Sequence, residues 1–218
     1  MEIAQVRPHL WRWTAPHPDW RPEHAQDGGW EREVAGTAIV RGDELILIDP
    51  QAPSEGEDRD EFWRAVDRDV EHHGPPRIVL TVPWHSRSST EIAERYDGTW
   101  LWVYEGAPEE EGVDPTDTFA LGDELPGGMQ AFEAGWQNEV ELWLPEHRAL
   151  ATGDVILGAP DGGLRLLPDS WLPEGATRGD VRAALAPLTE LPIELVLPAH
   201  GESVLAGGAE ALRRALAA

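Results

Sequence analysis

With 218 residues the chain is long enough to bury one sizeable core, and its 41 acidic residues against 17 basic ones leave a net charge of −24 that repels phosphate backbones. Every basic residue is arginine and none forms a basic patch, so no nucleic-acid partner is expected. The lack of cysteine excludes disulfides, thiolate nucleophiles and cysteine-bound zinc; with no signal-like segment in residues 1–6 and no apolar run of membrane-spanning length, the expected setting is the cytoplasm, away from membranes.

Along the chain, Trp11 and Trp13 alternate with Arg12, as on one strand face, and read as core. Prolines interrupt residues 15–20, so His17 and Trp20 fall in a long connection. Residues 34–40 and 44–48 are β-rich and joined through Arg41-Gly42-Asp43 as a hairpin, with Asp49-Pro50 ending the second strand. Residues 58–73 repeat apolar side chains at Phe62, Val66 and Val70, which is helical spacing, and Gly74-Pro75-Pro76 stops the helix. A buried strand is expected over 77–82, then a helix through Ile92 to Tyr96, for which Ser88 or Ser89 offers an N-cap hydroxyl. Residues 100–104 read as a strand and 105–118, acidic with Pro and Gly, as an exposed loop. Short strands over 129–133, 139–144 and 149–151 follow, then a helix over 178–185, a strand over 193–197 and an amphipathic closing helix from Leu205. No linker or repeat divides the chain, so periodicity gives one α+β domain over residues 1–218.

Chemistry-bearing residues gather in three short segments, each after an expected strand: Thr81-Val82-Pro83-Trp84-His85-Ser86-Arg87-Ser88, Ala151-Thr152-Gly153-Asp154 and Leu197-Pro198-Ala199-His200-Gly201. In this order they resemble the skeleton of the metallo-β-lactamase superfamily, hydrolases of the glyoxalase II kind included. That family carries His-x-His-x-Asp-His after a strand, an isolated His, an Asp in Thr-Gly-Asp and a final His in a Pro-Gly-His-Gly-like turn. The resemblance runs over nearly the whole chain and implies a four-layer αββα sandwich. It also implies a dinuclear zinc site from which much is missing. Pro83 falls on the first His, His85 on the second, Arg87 on the Asp and Ser88 on the last His, while Gly135-Trp136-Gln137-Asn138 supplies no isolated His. His85, Asp154 and His200 remain as candidate metal ligands, and Asp49 matches a strand-end Asp that supports a ligating His. In the resemblance His85 belongs to the first metal, His200 to the second and Asp154 to both. A single ion would therefore sit between the two positions or recruit a ligand such as Glu133 or His17.

Arg87 weighs against a metal: a guanidinium about 4 Å from a dication meets a repulsion of roughly 8 kcal/mol at an effective dielectric of about 20. Three roles are open to it. It replaces lost metal charge by pairing with Asp154 or Asp49, it clamps a substrate carboxylate or phosphate between aromatic walls at Trp84 and Trp136, or it is a surface residue at a helix start. The first is favoured. His17 and Trp20 form either a lid over the site or simple loop packing. Two functions follow. The favoured one is a degenerate relative that needs no metal and binds a small molecule or a partner in the cleft without hydrolysing it. The alternative is a hydrolase with a rebuilt mononuclear zinc site on His85, Asp154 and His200, acting on a small ester, thioester or lactone. The 11 tryptophans suit a core, a lid or a homodimer interface equally well.

Overall fold

The computed structural model describes residues 1–107, 109–110 and 113–218. Two antiparallel hairpins open the chain: β1 (Glu2–Arg7) and β2 (Leu10–Pro16), then β3 (Glu33–Arg41) and β4 (Glu44–Ile48). The helix α1 (Gly56–His73) crosses to β5 (Arg77–Val79), α2 (Ser89–Arg95) crosses to β6 (Trp100–Tyr104), and β7 (Asp117–Phe119) completes a seven-stranded sheet in chain order. Pairing is antiparallel from β1 to β4 and parallel from β4 to β7. The second half supplies β8 (Gln130–Glu133), β9 (Val140–Leu144), β10 (Ala149–Thr152), a small hairpin of β11 (Ile156–Gly158) and β12 (Leu164–Leu166), α3 (Arg178–Leu185), β13 (Leu195–Pro198) and α4 (Gly208–Ala217). Its four-stranded sheet runs β13-β10-β9-β8, with β10 and β13 parallel.

Three apolar cores separate four layers. Leu10, Ile46, Ile48 and Val79 of the first sheet meet Val140, Leu142, Ala151 and Leu197 of the second, forming the seam between sheets. Alternate residues of the first sheet, Leu45, Leu47 and Ile78 among them, point the other way and pack under Phe62, Trp63 and Val66 of α1 and Ile92 of α2. On the far side of the second sheet, Trp143, Leu150 and Val196 are covered by Val181 and Leu185 of α3 and Leu212 of α4. The result is an αββα sandwich of mixed α and β structure.

The helices at 56–73, 89–95, 178–185 and 208–217 lie where spacing places them, with shifts of a turn or less at their ends. Two local expectations need correction. Ser88 does not cap α2: its Oγ instead accepts the Ala52 N–H at 2.8 Å, tying the turn after β4 to the turn after β5. The stretch 105–118 is not wholly loop, because Asp117 and Thr118 open β7; Pro108, Glu111 and Gly112 lie outside the described residues. Among the described residues no helix is long and apolar enough to cross a membrane.

Candidate metal centre

The turns after β4, β5, β10 and β13 meet, so the site lies beyond the carboxyl ends of two parallel-paired sets of strands. Backbone amides and crossover turns expose side chains there without breaking the ladders. Asp49 follows β4, His85 lies in the 3-10 turn Pro83–Ser86 after β5, Asp154 follows β10 and His200 follows β13. All four are buried. Asp154 Oδ1 is 3.3 Å from His85 Nε2 and 3.0 Å from His200 Nε2, and the three candidate ligand atoms lie within 4.8 Å of one another. His85 Nδ1 donates to Asp49 Oδ2 at 2.9 Å, an oxygen that also accepts from Thr81 Oγ1 at 2.6 Å, while Asp49 Oδ1 accepts the Thr81 N–H at 2.9 Å. Asp49 thereby fixes the ring and the tautomer of His85, turning Nε2 toward Asp154.

A carboxylate oxygen this close to two imidazole nitrogens requires a proton or a metal ion on each line of contact. Ligand atoms around a tetrahedral zinc with bonds of about 2.0–2.2 Å stand roughly 3.3–3.5 Å apart, and the two spacings found here are close to that edge. Two imidazoles and one carboxylate also form a donor set suited to zinc and its first-row neighbours. The donor types therefore suit one ion, which these three atoms, all within 4.8 Å of one another, could hold.

Electrostatics separate the two histidines. Burial, aided by the charges of Arg87 and His85, pushes His200 down to about 4 against the pull of Asp154, so it is a neutral imidazole at neutral pH. Burial and Arg87 also press on His85, but Asp154 and Asp49 on either side outweigh them and raise it. Burial disfavours charge on Asp154 as well, yet the two histidines hold it well below the usual carboxylate range.

Arg87 takes a place that its charge alone does not dictate. Its φ of 41° turns it back toward β3 and β4, and Nη1 donates to the main-chain oxygens of Ala35 at 2.9 Å and Asp49 at 3.1 Å. The expected direct pairing with the Asp49 or Asp154 carboxylate is not formed; both act on the buried guanidinium through space, opposing the drop that burial causes. Trp84 donates its indole N–H to Asp154 Oδ2 at 2.8 Å, and its ring meets Trp136 edge-on at 5.7 Å. Trp136 itself is core: its N–H goes to Trp171 O, and it packs on the α3 side of the second sheet. His17 is not among the gathered ligand atoms and Glu133 is exposed on β8, so neither completes the set. His17 instead lies against Trp30 at 5.2 Å, and Trp30 lies over His200 at 5.0 Å. Trp20 donates to Trp30 O, so this segment covers one side of the centre.

Two residues beside the ligand turn, Glu139 and Glu141, carry no signal in the short motifs. Glu139, fully buried, accepts the Asp154 and Val155 N–H groups at 2.9 Å each and so shapes the ligand turn. Glu141 is equally buried; it faces the Gly153 amide and Glu139 without a well-formed hydrogen bond. Burial, together with neighbouring carboxylates, drives both well above the ordinary glutamate range. Gly153 is the residue that permits this contact, since a Cβ there would lie 2.7 Å from Thr81 Oγ1 and 2.8 Å from Glu139 Cδ.

No protein-family model matches the sequence, and no curated protein matches it. Solved structures do. A metallo-β-lactamase from Pontibacter korlensis superimposes with a TM-score of 0.68 at 16% identity, covering 99% of this chain and 98% of that one. A metallo-β-lactamase from Hirschia baltica gives 0.67 at 16% identity over 99% and 96% of the two chains. The metallo-β-lactamase FIM-1 from Pseudomonas aeruginosa, in its mono-zinc form, gives 0.65 at 15% identity over 96% and 94%. Over nearly its whole length, this chain has the metallo-β-lactamase fold.

Proposed function

We propose that the protein holds one divalent metal ion, zinc by the chemistry of its donors, on His85, Asp154 and His200, and hydrolyses a small ester, thioester or lactone. The observation that supports this most is the convergence of two imidazole nitrogens from separate strand ends on one carboxylate oxygen, with the other nitrogen of His85 already held by Asp49. An ion bound there would supply Lewis acidity toward a scissile carbonyl. The remaining tasks belong to the chain. Asp49 and Thr81 orient His85, Trp84 fixes the rotation of Asp154, and Glu139 holds the turn that carries it. Neutral His200 offers a lone pair, because burial keeps it unprotonated. Trp30 lies against His200 at 5.0 Å and limits the movement of its ring.

One ion is proposed, not two. The positions that would hold a second are taken by Arg87, bonded to main-chain oxygens, and by the Trp84 indole, which occupies the second oxygen of Asp154. A structural relative of the same fold is known in a mono-zinc form. The contacts of His85 with Asp49 and Asp154 support a second reading, in which His85 carries a proton between the two carboxylates and the cleft binds a small molecule without hydrolysis.

Metal content separates them. Untagged protein dialysed against zinc and then metal-free buffer is expected to retain about one equivalent, lost in His85→Ala and Asp154→Ala, and to hydrolyse a panel of thioesters and lactones. Retention well below one equivalent in the parent protein would overturn the metal-centred reading and leave the second.

A further inference from the structure

A cavity of about 370 Å³ opens at His200, the one residue of the ligand cluster that lines it. It is lined by Trp30, by the Gly158–Pro160 stretch at the end of β11 and by Gly201. The volume lies at the small end of the range for small-molecule sites, and the lining is mainly apolar or main-chain. At the inner end is His200, buried, with Nε2 on Asp154 and Nδ1 without a partner among the described residues.

The charges around this cavity are unequal in their freedom. Arg165 is the cation of the wall, but its two terminal nitrogens donate to the main-chain oxygens of Gly28 and Gly29, both at 2.6 Å, and Glu31 lies within its field. Its charge staples the segment carrying Trp30 to β12 and is partly offset. Glu31, which Arg165 offsets in part, and Glu202 are exposed at the cavity, so one carboxylate stands there in excess of the single lining cation. An apolar cleft with carboxylates at its mouth concentrates cations and rejects anions, because low-dielectric walls focus the field. Trp30 lines the cavity with the part of its ring left free by His24, stacked on it at 5.2 Å, and by His17 and His200 beside it, and aromatic surface of this kind attracts alkylammonium groups.

We infer that this cavity is the ligand subsite and that it selects a small molecule with an apolar body and a cationic nitrogen, not a carboxylate. This rests on the proposed hydrolytic centre only in placing the scissile bond at His200 and Asp154; the charge preference belongs to the cavity itself.

Binding is tested first, on metal-free and zinc-loaded protein, by titration calorimetry and tryptophan fluorescence with benzyltrimethylammonium against benzoate, probes of similar size and opposite charge. The cation is expected to bind at least about tenfold more tightly, with an affinity that falls as salt rises. The double variant Glu31→Gln/Glu202→Gln is expected to weaken it about fivefold or more, whereas Glu57→Gln/Glu94→Gln, the same charge change on α1 and α2, is not. Equal or tighter benzoate binding, no binding of either probe, or an equal effect of the two double variants would overturn the inference. Turnover is tested second, comparing a choline ester with its uncharged dimethylbutyl isostere. A preference for the cationic ester supports the subsite, and equal kcat/KM for the two overturns it. Cation binding without hydrolysis of either ester would remove the hydrolytic reading and leave the cavity assignment standing.

Discussion

Asp49 joins the end of a strand to the chemistry of the site. It adopts a positive φ of 47°, its carbonyl oxygen receives Arg87, and its carboxylate binds Thr81 and His85. A non-glycine residue held in that region costs on the order of 1–3 kcal/mol, so the surrounding bonds must hold it there. Replacing Asp49 with Asn keeps an acceptor for the Thr81 amide but removes the charge that orients His85. Zinc affinity, read by competition with a chromogenic chelator, is expected to fall about 10–100-fold. An unchanged affinity would mean that packing alone orients the ring. Gly153 makes the complementary case. Alanine there drives a methyl group against Thr81 and Glu139, and a loss of about 1–3 kcal/mol in urea unfolding is expected, together with weaker zinc retention because the Asp154 turn shifts. Of the candidate site, the gathering of His85, Asp154, His200 and Asp49 was legible because short strand-end motifs name both residue type and order. Glu139 and Glu141 were not. Glu139-Val140-Glu141-Leu142 alternates as a half-solvated strand would, but α3 and α4 bury the second face as well, so the polar set points into protein. Only the apolar faces of the later helices hint at that.

Elements show the same split between local pattern and tertiary cover. The helices were legible because α1 and α4 repeat apolar residues at helical spacing, and the hairpin of β3 and β4 because Arg41-Gly42-Asp43 separates two β-rich runs. The strands β7, β11 and β12 escaped notice: each has three residues, too few to display a period. The first hairpin was visible only through Trp11 and Trp13. Trp13 in β2 explains why β3 carries Gly36. A Cβ at Gly36 would lie 2.4 Å from the Trp13 ring, and Trp13 cannot retreat because its N–H is bonded to Gln51 O at 2.7 Å, in the turn after β4. Gly36→Ala is therefore expected to cost about 1–3 kcal/mol despite the better strand propensity of alanine. The measurement is the urea midpoint with an unchanged slope. A neutral or stabilising effect would show that β2 and β3 slide past each other more freely than the register implies.

At the scale of the molecule, the distribution of negative charge sets how stability answers pH. Net charge is −24, and no lysine offsets it, so self-repulsion grows as remaining protons leave. Glu139 and Glu141 add a buried contribution of the same sign. Their folded pKa values lie above the unfolded ones, so the folded chain keeps protons that the unfolded chain has already lost. Such a contribution is complete below the unfolded glutamate range and disappears as pH climbs through the raised values. His85, also raised, loses its contribution in the same direction. On the acid side the order reverses. His200, lowered to about 4, resists protonation in the fold, and Asp154, lowered as well, contributes stability only while ionised; both lose ground as pH falls. Metal-free protein is thus expected to be most stable in mildly acidic to neutral solution and to weaken toward pH 9, more steeply at low salt, where charges are screened less. Glu141→Gln removes one member of the buried carboxylate pair without changing its size. It is expected to raise the melting temperature at pH 9 by about 2–4 °C for each kcal/mol of charge burial relieved, and to have less effect as pH falls toward the unfolded glutamate range, above which burial holds the pKa of both groups. Salt should leave that difference largely intact, since buried charges lie beyond the reach of screening, while it flattens the surface contribution in parent and variant alike. A variant whose advantage vanishes in high salt would place the alkaline weakness on the surface and not beneath Asp154.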